Sequence, residues 1–274
     1  MEGNPRKIIV AVAPVGRDIE LPPINPLSPE DVAKEVIACA EAGASMVHLH
    51  VRDREGNQTE DIAEFSETLD LIRESSDLII QGSTGGLTTL TLEERCVAVT
   101  DPKVEVASLN MGSVNFGEEV YVNRLPDIRY WARRMEEAGV APELEVFEIG
   151  MIPVARKLID EGVITAPYHF NFCLGARWGM PADPKCLFYL TSMIHEDDGW
   201  GLVHDNMTDF SLLATAIGSG ATVVRVGFED SVYNATGKIA ETNKELVKRL
   251  VSLIHQIGFE VAEPDEARQL LKLT

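Results

Sequence analysis

The chain has 274 residues, of which 45% are hydrophobic, enough for one large α/β domain or two smaller ones. Its formal net charge of −20 argues against nucleic acid and anionic membrane surfaces as partners, since both recruit clustered Lys and Arg. The acidic excess reads more simply as solubility. No basic segment followed by an apolar stretch opens the sequence, and no apolar run approaches the roughly 18 residues of a spanning helix. A soluble, cytoplasmic protein is expected. Cys39, Cys96, Cys173 and Cys186 lack CxxC spacing, which excludes a zinc knuckle and suggests reduced thiols.

Taken in order, Lys7 to Pro14 (KIIVAVAP) is short, apolar and β-branched, as a strand buried on both faces is. A Pro-rich loop follows to Pro26. Ser28 then caps a helix with Pro29 at its first position and Asp31 in its first turn, running through Val32, Val36, Ile37 and Ala40 to a stop at Gly43. The strand Ser45 to Asp53 (SMVHLHVRD) follows at once. The pattern then recurs: a helix through Ile62 and Ile72, a strand Leu78 to Gln81, a short helix Leu90 to Ala98, and a strand Val104 to Asn110. A helix Leu125 to Ala138 precedes a strand Leu144 to Ile149, and a helix Val154 to Ile159 precedes a strand Tyr168 to Cys173. Helix Cys186 to Ile194, the short strand Trp200 to Val203, helix Phe210 to Ile217 and strand Thr222 to Phe228 come next. Helices Ile239 to Ile257 and Pro264 to Leu271 close the chain.

Eight strands, each followed by a helix and with no low-complexity linker, predict a single-domain (β/α)8 TIM barrel over residues 1–274. In that architecture chemistry gathers where strands run out into the following loops. The polar residues there are His48, His50 and Asp53; Ser83 and Thr84; Ser108 and Asn110; Glu145 and Glu148; His169 and Asn171; His204 and Asp205; and Arg225, Glu229 and Asp230.

Side chains alternate faces along a strand, so His48 and His50 point the same way, roughly 6 to 7 Å apart at the backbone. They are either a hydrogen-bonded core pair or two ligands of one metal ion. Strand eight offers Arg225, Glu229 and Asp230. Two His and a Glu form a familiar zinc set with an open coordination position. Arg225 and Glu229 share strand parity and both face inward unless the chain bends, which puts Asp230 at the rim beside Arg225. The turn Gly82-Ser83-Thr84-Gly85-Gly86 presents backbone N–H groups suited to a carboxylate or phosphate, but it lacks the Lys of a nucleotide-binding loop.

These stretches together resemble the β-keto acid cleavage enzyme family, zinc-dependent (β/α)8 barrels that include the 3-keto-5-aminohexanoate cleavage enzymes. EAGASMVHLHVRD, QGSTGG, ASLNMGSVNFG, PELEVFEIGM, VRVGFED, TNKELVKRL and EPDEARQLL match in order from about Ile8 to Leu273. The resemblance implies an acyltransferase in which a β-keto acid reacts with acetyl-CoA to give acetoacetate and a new CoA thioester. Carried over by position, His48, His50 and Glu229 hold Zn2+, Ser83 and Ser108 hold the substrate carboxylate, and Arg225 and Asp230 together deprotonate it. Thr84 and Asn110 join the substrate-binding residues, and a homo-oligomer is implied. The resemblance fails in the first loop. One alignment puts Asp18 where relatives that act on amino substrates carry an acid, and another puts Arg17 there, which suits an anionic tail. His204-Asp205-Asn206 also departs from the family's Gly-Arg after strand seven, on the CoA side. The rival readings are a zinc-dependent aldolase or sugar isomerase without CoA, and a metal-storing module without turnover.

Overall fold

The computed structural model describes residues 5–16 and 25–273. The apolar segments identified in the sequence form parallel strands: β1 (Lys7–Val12), β2 (Met46–Leu49), β3 (Ile79–Gly82) and β4 (Val106–Asn110). They continue as β5 (Ala141–Val146), β6 (His169–Leu174), β7 (Trp200–His204) and β8 (Val223–Val226). Each pairs with the next, and β8 returns to β1 in the register Ile9 with Val223 through Val12 with Val226. The sheet is a closed eight-stranded barrel. Closure removes the edges, so every strand can be apolar on its outer face without offering a template for aggregation.

The crossovers are α1 (Pro29–Glu41), α2 (Ala63–Arg73), α3 (Leu125–Ala138), α4 (Met151–Asp160), α5 (Pro184–Thr191), α6 (Ser211–Ser219) and α7 (Asn243–Gln256), with α8 (Pro264–Leu271) last. Local sequence chemistry sets several of their ends. Ser28 Oγ accepts from Asp31 N at 3.2 Å, and α3 stops at Gly139 with φ 70°. None of the helices in the described residues is long and apolar enough to cross a membrane.

Four expectations need correction. The third crossover, expected as a short helix from Leu90 to Ala98, is a 3-10 helix that starts later, at Glu94–Thr100. Strand β5 begins at Ala141, three residues before the expected Leu144, because the alternating acids of PELEV face the barrel interior instead of solvent. Glu148 therefore lies beyond the strand. The last long helix begins at Asn243, since Thr242 caps it by accepting from Glu245 N. Two hairpins, Val114–Phe116 with Glu119–Tyr121 and Tyr233–Ala235 with Lys238–Ile239, also rise from the loops after β4 and β8.

Side-chain parity orders the barrel interior. Ile9, Ala11, Met46, Ile79, Val106, Ala141 and Val223 cluster with Ala262, Ala267 and Leu271 of the C-terminal segment. This apolar plug closes one end. Two residues further along the strands, Met46 leads to His48, Ile79 to Gln81, Val106 to Ser108, Ala141 to Glu143 and Val223 to Arg225. The barrel thus changes from dry to polar within one step of the strand repeat.

Candidate active site

The polar end opens into a cavity of about 620 Å³ lined by His48, His50, Gln58, Ser83, Gly85, Tyr121, Glu145, Asp205, Arg225 and Glu229, among others. It lies at the C-terminal ends of the strands, where barrel enzymes carry their chemistry.

His48 is the third residue of β2, and His50 follows its last. Their rings pack edge to face, with centroids 5.3 Å apart. Each turns Nε2 toward Glu229 Oε1, at 3.6 Å from His48 and 3.5 Å from His50. One donor atom from each of the three residues lies within 4.8 Å of the other two, and among the described residues this is the group of acids, His and Cys so arranged. Gln81 fixes the first ring: its amide oxygen sits 2.7 Å from His48 Nδ1. An amide oxygen only accepts, so Nδ1 carries the proton and Nε2 keeps its lone pair for the cluster. Burial, reinforced by Arg225 and His50, lowers the His48 pKa to about 4 against the pull of Glu229. Burial lowers His50 as well. Neutral imidazoles facing a carboxylate are the donor chemistry that Zn2+ takes.

Glu229 reaches this place by a bend, not by strand parity. Strand β8 ends at Val226, and Gly227 adopts φ 144°, where a Cβ would lie 2.1 Å from the Ala13 carbonyl. The buried Asn243 side chain braces the turn, accepting from Phe228 N at 2.8 Å and donating to the Pro14 carbonyl at 3.0 Å. Burial alone raises a carboxyl, but His50, His48 and Arg225 hold the Glu229 pKa well below the ordinary value.

The same turn buries Asp230, which does not lie at the rim. Arg225 donates to it twice, from Nε at 2.9 Å and Nη2 at 2.6 Å, while Nη2 also reaches Glu229 at 3.4 Å. Arg225 Nη1 is buried with no protein partner. Asn206, in the left-handed region at φ 58°, donates its N–H to the Asp230 carbonyl at 2.8 Å. The departure after β7 thus braces Asp230 from behind. Across the cavity, burial and the nearby Glu143 raise Glu145 to about 8, so its carboxyl is mostly protonated at neutral pH.

Ser83 lines the cavity, with Ser108 Oγ buried 3.5 Å behind its hydroxyl. Thr84 turns away: its hydroxyl donates to the Ser108 carbonyl at 2.6 Å. Asn110 is buried, accepts from Gly112 N at 3.1 Å and leaves its Nδ2 without a protein partner. Three of the backbone N–H groups expected to cradle an anion are committed within the fold. Ser83 N donates to Leu49 O, Thr84 N to Ser108 Oγ and Gly85 N to Ser83 Oγ. Arg17 and Asp18 fall outside the described residues. The stems of their loop are pinned together, since Gly16 and Asn25 exchange hydrogen bonds of 2.7 and 2.9 Å.

The sequence profile of the beta-keto acid cleavage enzymes matches residues 7–273. The chain belongs to the β-keto acid cleavage enzyme family. A 3-keto-5-aminohexanoate cleavage enzyme of Fusobacterium nucleatum subsp. nucleatum is 40% identical over 271 residues, covering 97% of this chain and 98% of that one. A 3-oxoadipate:acetyl-CoA acetyltransferase of Cupriavidus necator is 33% identical over 260 residues, covering 91% and 89%. Among solved structures, the binary complex of ObcA with oxaloacetate superposes with a TM-score of 0.77 at 18% identity, over 90% of this chain and 67% of that one; it supports the fold alone. This β-keto acid cleavage enzyme is therefore built around a cavity whose acids and bases come from β2, β5, β7 and β8 or the turns after them, with Tyr121 from the hairpin after β4.

Sequence reasoning missed Gln81, Gln58, Tyr121 and Asn243. Gln81 carried a signal, since it stands two residues after Ile79 on an inward-facing row. Gln58 lies in the loop after β2, Tyr121 in the hairpin after β4 and Asn243 at the start of α7, and no periodicity points to them.

Proposed function

We propose that this enzyme converts a β-keto acid and acetyl-CoA into acetoacetate and the CoA thioester of the remaining acyl fragment. The observation that carries the reading is the meeting, at one cavity, of the His48–His50–Glu229 donor set with Arg225, which pairs with the buried Asp230. The names of the relatives, a keto-acid cleavage enzyme and an acetyl-CoA acetyltransferase, support it.

Zn2+ suits two imidazoles and a carboxylate that leave a position open. When bound, it would withdraw electron density from a keto oxygen and so ease loss of the neighbouring α-proton. Asp230 is the base for that proton, and Arg225, which lines the cavity, holds both of its carboxylate oxygens so that the group does not turn. The methylene carbon then bonds to the acetyl carbonyl carbon as the acetyl–sulfur bond breaks and releases the CoA thiolate. That thiolate attacks the original keto carbon, the bond from this carbon to the methylene carbon breaks, and the freed carbanion takes back the proton held by Asp230. The hydroxyl of Ser83, backed by that of Ser108, holds the carboxylate that acetoacetate keeps.

Tail selection belongs to the loop whose stems meet at Gly16 and Asn25, next to the Phe228 carbonyl and so beside Glu229. Asp18 there accepts an amine-bearing tail, and the 40% identical relative named for an aminohexanoate makes that tail the first to test. Arg17 accepts a carboxylate tail. A phosphate-handling aldolase finds less support, because the N–H groups of Ser83, Thr84 and Gly85 in the 82–86 turn are already committed within the fold.

The test is incubation of the zinc-loaded enzyme with acetyl-CoA and β-keto acids bearing cationic, neutral and anionic tails. Acetoacetate is read by mass spectrometry. No acetoacetate from any of them, with folded and zinc-loaded protein, overturns the proposal.

A further inference from the structure

Both histidines of the donor set lean on a glutamine, but in opposite senses. Gln81 gives His48 Nδ1 an amide oxygen. Gln58 gives His50 Nδ1 an amide nitrogen: Nε2 lies 3.0 Å from it and 3.3 Å from the Gly85 carbonyl oxygen. One NH2 group thus serves two acceptors, a candidate ligand and the turn that carries Ser83. Gln58 is brought there by the bridge that its backbone makes with Arg52, just past β2.

The two contacts conflict once His50 binds a cation. An imidazole that coordinates through Nε2 carries its proton on Nδ1 and needs an acceptor for it. An amide nitrogen has no lone pair to offer, whereas the amide oxygen does. The side chain must then present Oε1 to His50, and the Gly85 carbonyl loses its donor. The turn is packed closely enough to feel this, because a Cβ at Gly86 would lie 2.3 Å from Gln58 Nε2. His48 faces no such conflict, since Gln81 already offers its oxygen.

We infer that Gln58 is a positioning residue that couples cation binding at His50 to the conformation of the Gly85–Gly86 turn beside Ser83. The inference rests on the metal reading given under the proposed function. It makes the cation and the carboxylate-binding turn partners in one equilibrium, with the coupling carried by a single amide.

The experiment titrates Zn2+ against a chromophoric chelator in the full chain, for wild type, Gln58→Glu and Gln58→Leu. Gln58→Glu keeps an acceptor for Nδ1–H and adds charge, so it binds zinc about tenfold more tightly; Gln58→Leu binds roughly 10- to 100-fold more weakly. A purely structural role weakens both, and that result, or two unchanged variants, overturns the inference. Hydrogen exchange gives the second readout. Saturating zinc alters protection of residues 83–89 in wild type and leaves it unaltered in Gln58→Leu, and an equal response in the two also overturns the coupling. Wild-type protein that takes up no zinc overturns the metal reading itself, a separate and recognisable failure.

Discussion

Arg225 grips Asp230 through two parallel hydrogen bonds, 2.9 Å from Nε and 2.6 Å from Nη2, and both residues are at least nine-tenths buried. A bidentate pair of this kind fixes the carboxylate plane, which a single ammonium cannot do. Burial by itself would lower the guanidinium pKa, but the charges of Asp230 and Glu229 outweigh it and hold that pKa well above its ordinary value.

Asp230→Asn keeps the shape and a hydrogen-bond partner for Arg225 but removes the proposed base. Turnover should fall by about 10²- to 10⁴-fold, with zinc content and fold unchanged. Arg225→Lys loses the fork and should lower kcat while keeping a cation beside Asp230. Steady-state kinetics beside metal analysis and circular dichroism separate the two effects. Zinc lost along with activity in Asp230→Asn would show that Asp230 serves the metal site instead.

His48→Ala and Glu229→Gln each remove one donor of the three-atom cluster. Both should lose stoichiometric zinc after dialysis, as read by atomic emission. Zinc retained in both variants would place the metal elsewhere.

The pH dependence of zinc retention follows from His48. Protons compete with a cation for Nε2, so affinity falls as pH drops toward the imidazole pKa. That value is depressed to about 4 by burial, with Arg225 and His50 adding to it. Zinc should therefore stay bound at pH 6 and be released as the pH approaches 4. Release centred near pH 6.5, the ordinary range for His, would contradict the buried, neutral ring.

Glu145 has the opposite linkage. Its folded pKa is raised to about 8 from an ordinary 4.5, so the native state holds a proton that the unfolded chain has given up between those values. Stability contributed by this group is present at low pH and is lost as pH rises from about 4.5 to about 8. Glu145→Gln removes that dependence. Its Tm should rise relative to wild type at pH 8 by more than at pH 5, as measured by calorimetry.

Gly227→Ala tests the bend directly. Alanine is strained at φ 144°, and its Cβ would meet the Ala13 carbonyl at 2.1 Å. The variant should be destabilised and should bind zinc poorly, although Gly227 donates nothing to the cluster. A variant with normal zinc affinity would show that the turn tolerates another path to Glu229.

The pattern along the chain determined the barrel. Eight apolar strands punctuated by amphipathic helices leave few other ways to bury so much β-branched surface, and His48 and His50 two residues apart had to share a face. Periodicity is a local property, so it survives in the sequence. Elements set by contacts across the fold were less legible. β5 starts at Ala141 because the interior accepts Glu143, paired with His169 at 2.8 Å, and no local rule anticipates buried acids in a strand. Glu229 reaches the histidines through Gly227 and the brace of Asn243, more than a dozen residues away in sequence. Which nitrogen of each histidine is free, which hydroxyl faces the cavity, and which carboxyl keeps its proton were decided only by the tertiary structure. Those properties depend on burial and on partners from other strands, and a linear sequence carries neither distance nor dielectric.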